Sequence, residues 1–416
     1  MSVVEADLPR SYWRLLRENR DFRLLYLASL ISLGGDWFLT VALLDLVLAI
    51  AGSATLASLI IVLQSLPIFF AAPFAGYAID RFDRRKLMIA VDIMRCIAAL
   101  LPLLARSPAL LVFAYVGVVF ISIGAAYFDP AAQAALPNLV EPRDLAHANV
   151  LIGSAWGTML MVGAGIGGIV TMQLGRDAAF VIDASTFLLS ALLIVRIRSP
   201  FSQSRSEEHR TPPLFESIRE TIRYARDDSR LFALLISKGG YGIGAGVVAM
   251  LSIFGREVFH RGAFGIGILF AARGVGALIG PFIARGVSRT DDQLYRLIPY
   301  SIFLFGLGYV ALAFAPSFWF GVIAVLIAHL GGGAQWLTST YGLQKESPDW
   351  IRGRVLSADF GFVTLTMSLS AIGSGIAADR FGAVAATTAT ASICLAWAIW
   401  WGVATRHLWH GRDPRG

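Results

Sequence analysis

Twelve apolar runs of about 20 residues, parted by short polar connectors, constrain this chain more than any other feature. Such a run spans ~30 Å of hydrocarbon at ~1.5 Å of helix rise per residue. In lipid each segment must satisfy its own backbone N–H and C=O groups, so runs of this length become helices. A length of 416 residues would otherwise suggest two or three soluble domains, but 56% of them are hydrophobic and only 15% charged. The pattern predicts spans near 24–50, 56–77, 87–106, 109–128, 147–172, 178–196, 230–253, 264–285, 296–315, 318–340, 355–377 and 384–405. Cys96 and Cys394 fall in separate runs and offer no disulfide or metal spacing. The start is polar and basic with no small-residue cleavage site, so no signal peptide is expected before the first span.

The connectors set the topology. Residues 1–23 carry five arginines and read as an amphipathic segment leading into the first span. The stretch from Arg196 to Arg230, with Pro212-Pro213, is the one long hydrophilic connector. It divides the chain into an N-terminal half (1–196), a linker (197–229) and a C-terminal half (230–416). The N-terminus, the connectors after even-numbered spans and the C-terminus hold 27 of the 35 Lys and Arg residues. Connectors after odd-numbered spans hold five: Arg106, Arg176, Arg256, Arg261 and Arg380. That asymmetry predicts cytoplasmic termini, since basic residues are retained on the cytoplasmic side. The net charge of +7 is therefore a matter of topology, and no nucleic-acid partner is expected.

Between the second and third runs lies Gly76 to Lys86, GYAIDRFDRRK, with Asp80, Arg81, Asp83, Arg84, Arg85 and Lys86 packed into one short connector. The loop resembles the G-x-x-x-D-R-x-G-R-R/K signature of the major facilitator superfamily, with Asp83 where that family more often has Gly. A weaker echo, Gly280 to Arg289, recurs 204 residues later, and Gln133-x-x-x-Pro137 recurs as Gln344-x-x-x-Pro348. Residues 131–151 and 343–357 resemble loops of the third drug:proton antiporter family, which includes macrolide and tetracycline exporters and enterobactin-type siderophore exporters. The resemblance spans nearly the whole chain. It implies an all-α membrane protein with twelve transmembrane helices in two pseudo-symmetric six-helix bundles, in a bacterial-type inner or plasma membrane.

The same resemblance implies that Asp80 faces the start of span 11 as a cytoplasmic latch, with Arg354 and Asp359 completing a breakable charge cluster. A plainer reading is that the basic loop fixes orientation and meets anionic headgroups. Gly163, Gly167 and Gly168 in span 5 match part of the exporter pattern g-x-x-x-G-P-x-x-G-G, with Met159 and Ala164 replacing its first Gly and its Pro. They read either as an exporter-type bend or as close helix packing.

Ionisable residues deep in a span are costly and mark function by default. Asp36 lies about 18 Å beyond Arg23 along span 1 and is expected to exchange a proton or bind a cation, unless local hydrogen bonds merely satisfy it. Arg273 sits twelve residues from both Arg261 and Arg285. At that depth it either binds an anionic substrate or pairs with a carboxylate such as Asp36. Lys238, only about 12 Å deep, is expected to snorkel. His329 is a candidate proton relay or a packed, hydrogen-bonded histidine. Asp92 and Arg95, three apart on one face of span 3, read as a cytoplasmic gate pair. Asp129-Pro130 reads as an N-cap opening a short interfacial helix. Tyr127, Trp156, Trp336 and Tyr341 either line a cavity or anchor interfaces.

These features point to a proton-coupled exporter of amphipathic small molecules, a drug or siderophore-like compound, working by alternating access. An importer or lipid flippase with a narrow endogenous substrate is the alternative. The expected partners are a small-molecule substrate, protons and membrane lipids, with no cofactor and a monomeric state. No metalloprotease, nucleophile-elbow or phosphate-loop pattern appears, so an enzyme is not expected.

Overall fold

Twelve long helices form, one for each apolar run. The computed structural model describes residues 11–201, 223–288, 290–347 and 349–409. We label the long helices α1 (Arg20–Ala51), α2 (Ala54–Arg81), α3 (Arg84–Leu100), α4 (Leu111–Leu139), α5 (Leu145–Leu174), α6 (Arg176–Val195), α7 (Ser229–Ala245), α8 (Gly262–Val287), α9 (Asp291–Ala313), α10 (Phe318–Glu346), α11 (Asp349–Phe381) and α12 (Ala383–Thr405). Each contributes a stretch long and apolar enough to cross a membrane; for α3 that stretch continues through a 3-10 turn to Leu104, and for α7 through a 3-10 turn, a short α-helix and a π turn to Val258.

Several helices outrun the apolar run that predicted them. α4 continues from the expected limit at 128 to Leu139, and α10 from 340 to Glu346. A helix needs apolar side chains only where it meets hydrocarbon, so its polar ends persist into water. One expectation fails for this reason. Asp129 and Pro130 do not open a separate helix; Pro130 and Pro137 both lie inside α4.

Side chains set where helices begin. Asn19 accepts from Phe22 N–H at the start of α1 and donates to the Leu139 carbonyl that ends α4. Asp83 accepts from Lys86 N–H and caps α3, which gives the residue departing from the family signature a local purpose. Asp228 caps α7, and Thr290 caps α9. Gly175 and Gly382, with φ of +86° and +87°, are one-residue joints between α5 and α6 and between α11 and α12. Only glycine takes that conformation without strain.

Residue contacts divide the chain into one unit of Met1–Gly52 and Leu63–Glu207 and another of Ser53–Val62 and Glu208–Gly416. The start of α2 therefore groups with the second unit. In the first unit α1 packs on α5 and α6, and α3 packs on α4 and α6. In the second, α7 packs on α11 and α12, and α9 packs on α10 and α12. The four pairings are the same once each helix number is raised by six. That is the pseudo-symmetry of the fold.

Candidate functional site

The first unit buries a guanidinium among carboxylates. Arg95 on α3 donates from Nη2 to both oxygens of Asp36 on α1, at 3.0 and 2.8 Å, and from Nη1 to Ser32 Oγ at 2.9 Å. Its side chain is 2% exposed, whereas that of Asp36 is 25% exposed. The guanidinium lies 4.1 Å from the centre of the Phe187 ring and 3.8 Å from Asp92 Oδ1. Asp92 is fully buried, and neither of its carboxylate oxygens has a hydrogen-bond partner among the described atoms. Asp129 on α4 and Asp183 on α6 lie within electrostatic reach of Arg95 and Asp36. Four carboxylates thus lie within electrostatic reach of one guanidinium.

Glycines make this arrangement possible. A Cβ on Gly35 would stand 2.1 Å from Thr186 Oγ1 and 2.4 Å from Asp183 Oδ1, so α1 reaches the α6 carboxylate only with glycine there. A Cβ on Gly124 would meet the Arg95 stem at 2.6 Å. Gly163 and Gly167 bring α5 against α1, where their Cβ atoms would lie 2.8 Å from Gly34 O and from Phe38 Cα. Gly168 is buried on the same helix. Among these glycines the contacts are those of close helix packing.

The second unit holds the other three candidates. Lys238 on α7 does not snorkel. It is 1% exposed, forms a salt bridge with Asp359 of α11, donates to Thr340 Oγ1 at 2.9 Å and lies 4.4 Å from the centre of the Trp336 ring. A stem that short of the interface brings its ammonium to a buried carboxylate instead of water. Arg273 on α8 hydrogen-bonds Tyr241, whose ring meets Phe305 at 5.1 Å and Trp336 at 5.7 Å. His329 Nε2 pairs with the Tyr309 hydroxyl at 2.8 Å, and Phe305 packs edge-on against both rings. An aromatic ladder therefore connects Lys238, Arg273 and His329 within one bundle.

The expected gate residues fall on α2, α3 and α11. Gly76 and Asp80 fall in the last turns of α2 and Arg354 in the first turns of α11, and their side chains lie outside the described residues. Arg81 is exposed at the end of α2. Arg84 donates to the carbonyls of Ala134 at 2.7 Å and Phe201 at 3.1 Å, and Arg85 to that of Ser199 at 2.7 Å. Asp21 accepts from the backbone N–H of Arg198 and Ser199. Arg84 and Arg85 thus clamp the chain leaving α6 to the first unit. Asp92 and Arg95 join Asp36 rather than the loop, and Asp359 sits ten residues into α11 beside Lys238.

Sequence reasoning passed over Asp183, and it also passed over Asp45, which takes a 2.5 Å bond from Arg176 Nε. Both are acidic residues inside apolar runs, so the depth rule applied to Asp36 would have found them.

A family model described as transmembrane secretion effector matches residues 11–408. Macrolide efflux protein A of Streptococcus pyogenes is 25% identical over 376 residues, covering 89% of this chain and 91% of its own length. The multidrug efflux pump Tap of Mycolicibacterium fortuitum is 27% identical over 383 residues, covering 86% and 89%. The inward-facing, unoccupied crystal structure of a bacterial homologue of the human lysosomal transporter Spinster aligns with a TM-score of 0.73 at 17% identity. It covers 95% of this chain and 99% of that one, a likeness of fold.

Proposed function

This chain belongs to the transmembrane secretion effector family of major facilitator transporters, and we propose that it is a proton-coupled exporter of amphipathic small molecules working by alternating access. It is an integral membrane protein of bacterial type, and the distribution of Lys and Arg supports cytoplasmic termini. The full-length likeness to efflux proteins supports the outward direction.

The observation that carries proton coupling is the Asp36–Arg95 pair. Asp36, a quarter exposed, belongs to a group in which carboxylates outnumber guanidinium four to one. A proton delivered to Asp36 removes its charge and weakens the hold on Arg95 Nη2. The guanidinium then has Asp92 at hand as its next partner, so charge is redistributed and not stranded in hydrocarbon. Loss of the proton restores the bidentate pair. Because Asp36 and Arg95 lie on α1 and α3, each proton changes how those helices are held together.

The test is proton release from energised everted vesicles, followed with a pH-sensitive dye as lipophilic cations, macrolides, tetracyclines and catecholates are added. A compound that dissipates the gradient with the wild-type chain and not with Asp36→Asn supports antiport and names the substrate class. Undiminished proton-coupled transport by Asp36→Asn refutes the role given to this residue.

A further inference from the structure

A second carboxylate is placed where it can govern the transport cycle, at the start of α2. Asp379, near the end of α11, accepts from Ala54 N–H at 2.6 Å, Thr55 N–H at 3.0 Å and the Ser53 hydroxyl at 2.9 Å. All four residues belong to the second unit. The first turn of a helix leaves its N–H groups without internal partners, and its dipole favours an anion. Here the capping anion comes from 325 residues away in the sequence.

Gly375 completes the contact. A Cβ there would lie 2.7 Å from Ser58 Oγ, 2.8 Å from Thr55 Cα and 3.1 Å from Ala54 O. Residues four apart share a helix face, so Gly375 admits the backbone of α2 and Asp379 caps it one turn later. The stretch reads GIAADRF from Gly375 to Phe381, and the end of α2 reads GYAIDRF from Gly76 to Phe82. Gly, Ala, Asp, Arg and Phe coincide in the same order. The connectors α1–α2 and α11–α12 both follow odd-numbered helices, so they share a membrane face, opposite to that of the Gly76 loop.

We propose that Gly375 and Asp379 form an outer latch on the start of α2, which must release for the transporter to open outward. The inference rests on the alternating-access reading above. Asp379 is a positioning residue that acts through α2 and touches no substrate.

Accessibility tests it without substrate or protons. Ser58 is fully buried and its hydroxyl has no hydrogen-bond partner among the described atoms, so Ser58→Cys in a Cys96→Ala, Cys394→Ser background reports the contact. Labelling by a membrane-impermeant maleimide is followed on intact cells. Asp379→Asn is expected to speed it roughly fivefold, the population shift that loss of an ordinary helix cap produces. Gly375→Ala should act in the same direction by steric separation. Asp80→Asn at the other end of α2 should slow labelling, and the Asp80→Asn, Asp379→Asn pair should return towards wild type. Unchanged labelling in a monodisperse Asp379→Asn protein overturns the latch. So does a rise that Asp80→Asn fails to offset, which marks local fraying of α2. If labelling responds as expected while no compound in the vesicle panel is transported, the latch stands and the exporter reading falls.

Discussion

Breaking the Lys238–Asp359 pair should destabilise the second bundle asymmetrically. Lys238 is 1% exposed, and the Asp359 side chain is 4% exposed. Removing one partner of a buried pair costs about 3–5 kcal/mol, because the other charge is left without compensation. Lys238→Met should show that full cost. The Asp359 Oδ1 atom has no hydrogen-bond partner among the described atoms, so losing the ammonium strands the whole carboxylate. Asp359→Asn should cost less, about 1–3 kcal/mol, since the ammonium keeps Thr340 and the Trp336 ring, each worth on the order of 1 kcal/mol. The double variant Lys238→Met, Asp359→Leu replaces the pair with apolar side chains and should unfold within about 1 kcal/mol of wild type. The assay is unfolding in detergent, followed by intrinsic tryptophan fluorescence. Single variants both within about 0.5 kcal/mol of wild type would mean the pair behaves like an exposed one, and the reasoning from burial would fail. Transport by the double variant then separates roles: a stable, inactive protein assigns the pair to the cycle, and a stable, active one assigns it to the scaffold.

Gly35→Ala is expected to destabilise by about 1–3 kcal/mol through overpacking and to lower transport, because its Cβ would collide with Thr186 and Asp183. Gly34→Ala, whose Cβ would meet only the Met159 sulfur at 3.4 Å, should be close to neutral in the same unfolding and flux assays. Arg85→Ala removes the bond to the Ser199 carbonyl and the contact with the Phe201 ring at 5.2 Å. It should quicken limited proteolysis just beyond α6 several-fold while leaving substrate affinity unchanged.

The number and rough placement of the helices were legible because each span needs a run of apolar residues and nothing else in the chain resembles one. The pairing of charges was not legible. Helical depth put Asp36, Arg95 and Arg273 in the membrane, but depth fixes only height along the normal. Which helix face a residue occupies, and which helix stands opposite, depend on packing that the apolar periodicity does not encode. Hence sequence spacing groups Arg95 with Asp92 at a gate, although its bidentate partner is Asp36, 59 residues away on α1. Lys238 was placed by stem length alone, and its carboxylate, Asp359, lies 121 residues on. The Gly76 loop was recognisable as a signature, yet Arg84 and Arg85 spend their donors on carbonyls within one unit, which no charge pattern could indicate.

The buried charges nonetheless obey a simple rule. Asp36 and Arg95 pair within the first unit; Lys238 and Asp359 pair within the second, and Arg273 bonds Tyr241 there. Asp36 and Arg273, a possible cross-half pair by sequence, each have a partner in their own unit. An ion pair bridging two bodies that must separate would have to be broken in every cycle, at several kcal/mol when buried. Pairs closed within a body impose no such barrier, so on the alternating-access reading each bundle keeps its charges compensated as it moves. On the proposed reading, a proton at Asp36 acts on the ion pair that links α1 to α3, and through that pair on the rest of the cycle. On this reasoning Arg95→Met and Asp36→Asn should each abolish proton coupling, whereas Arg273→Lys should alter substrate affinity and leave coupling intact. Loss of proton coupling by Arg273→Lys in the vesicle assay would show that the two bundles share their charge compensation after all.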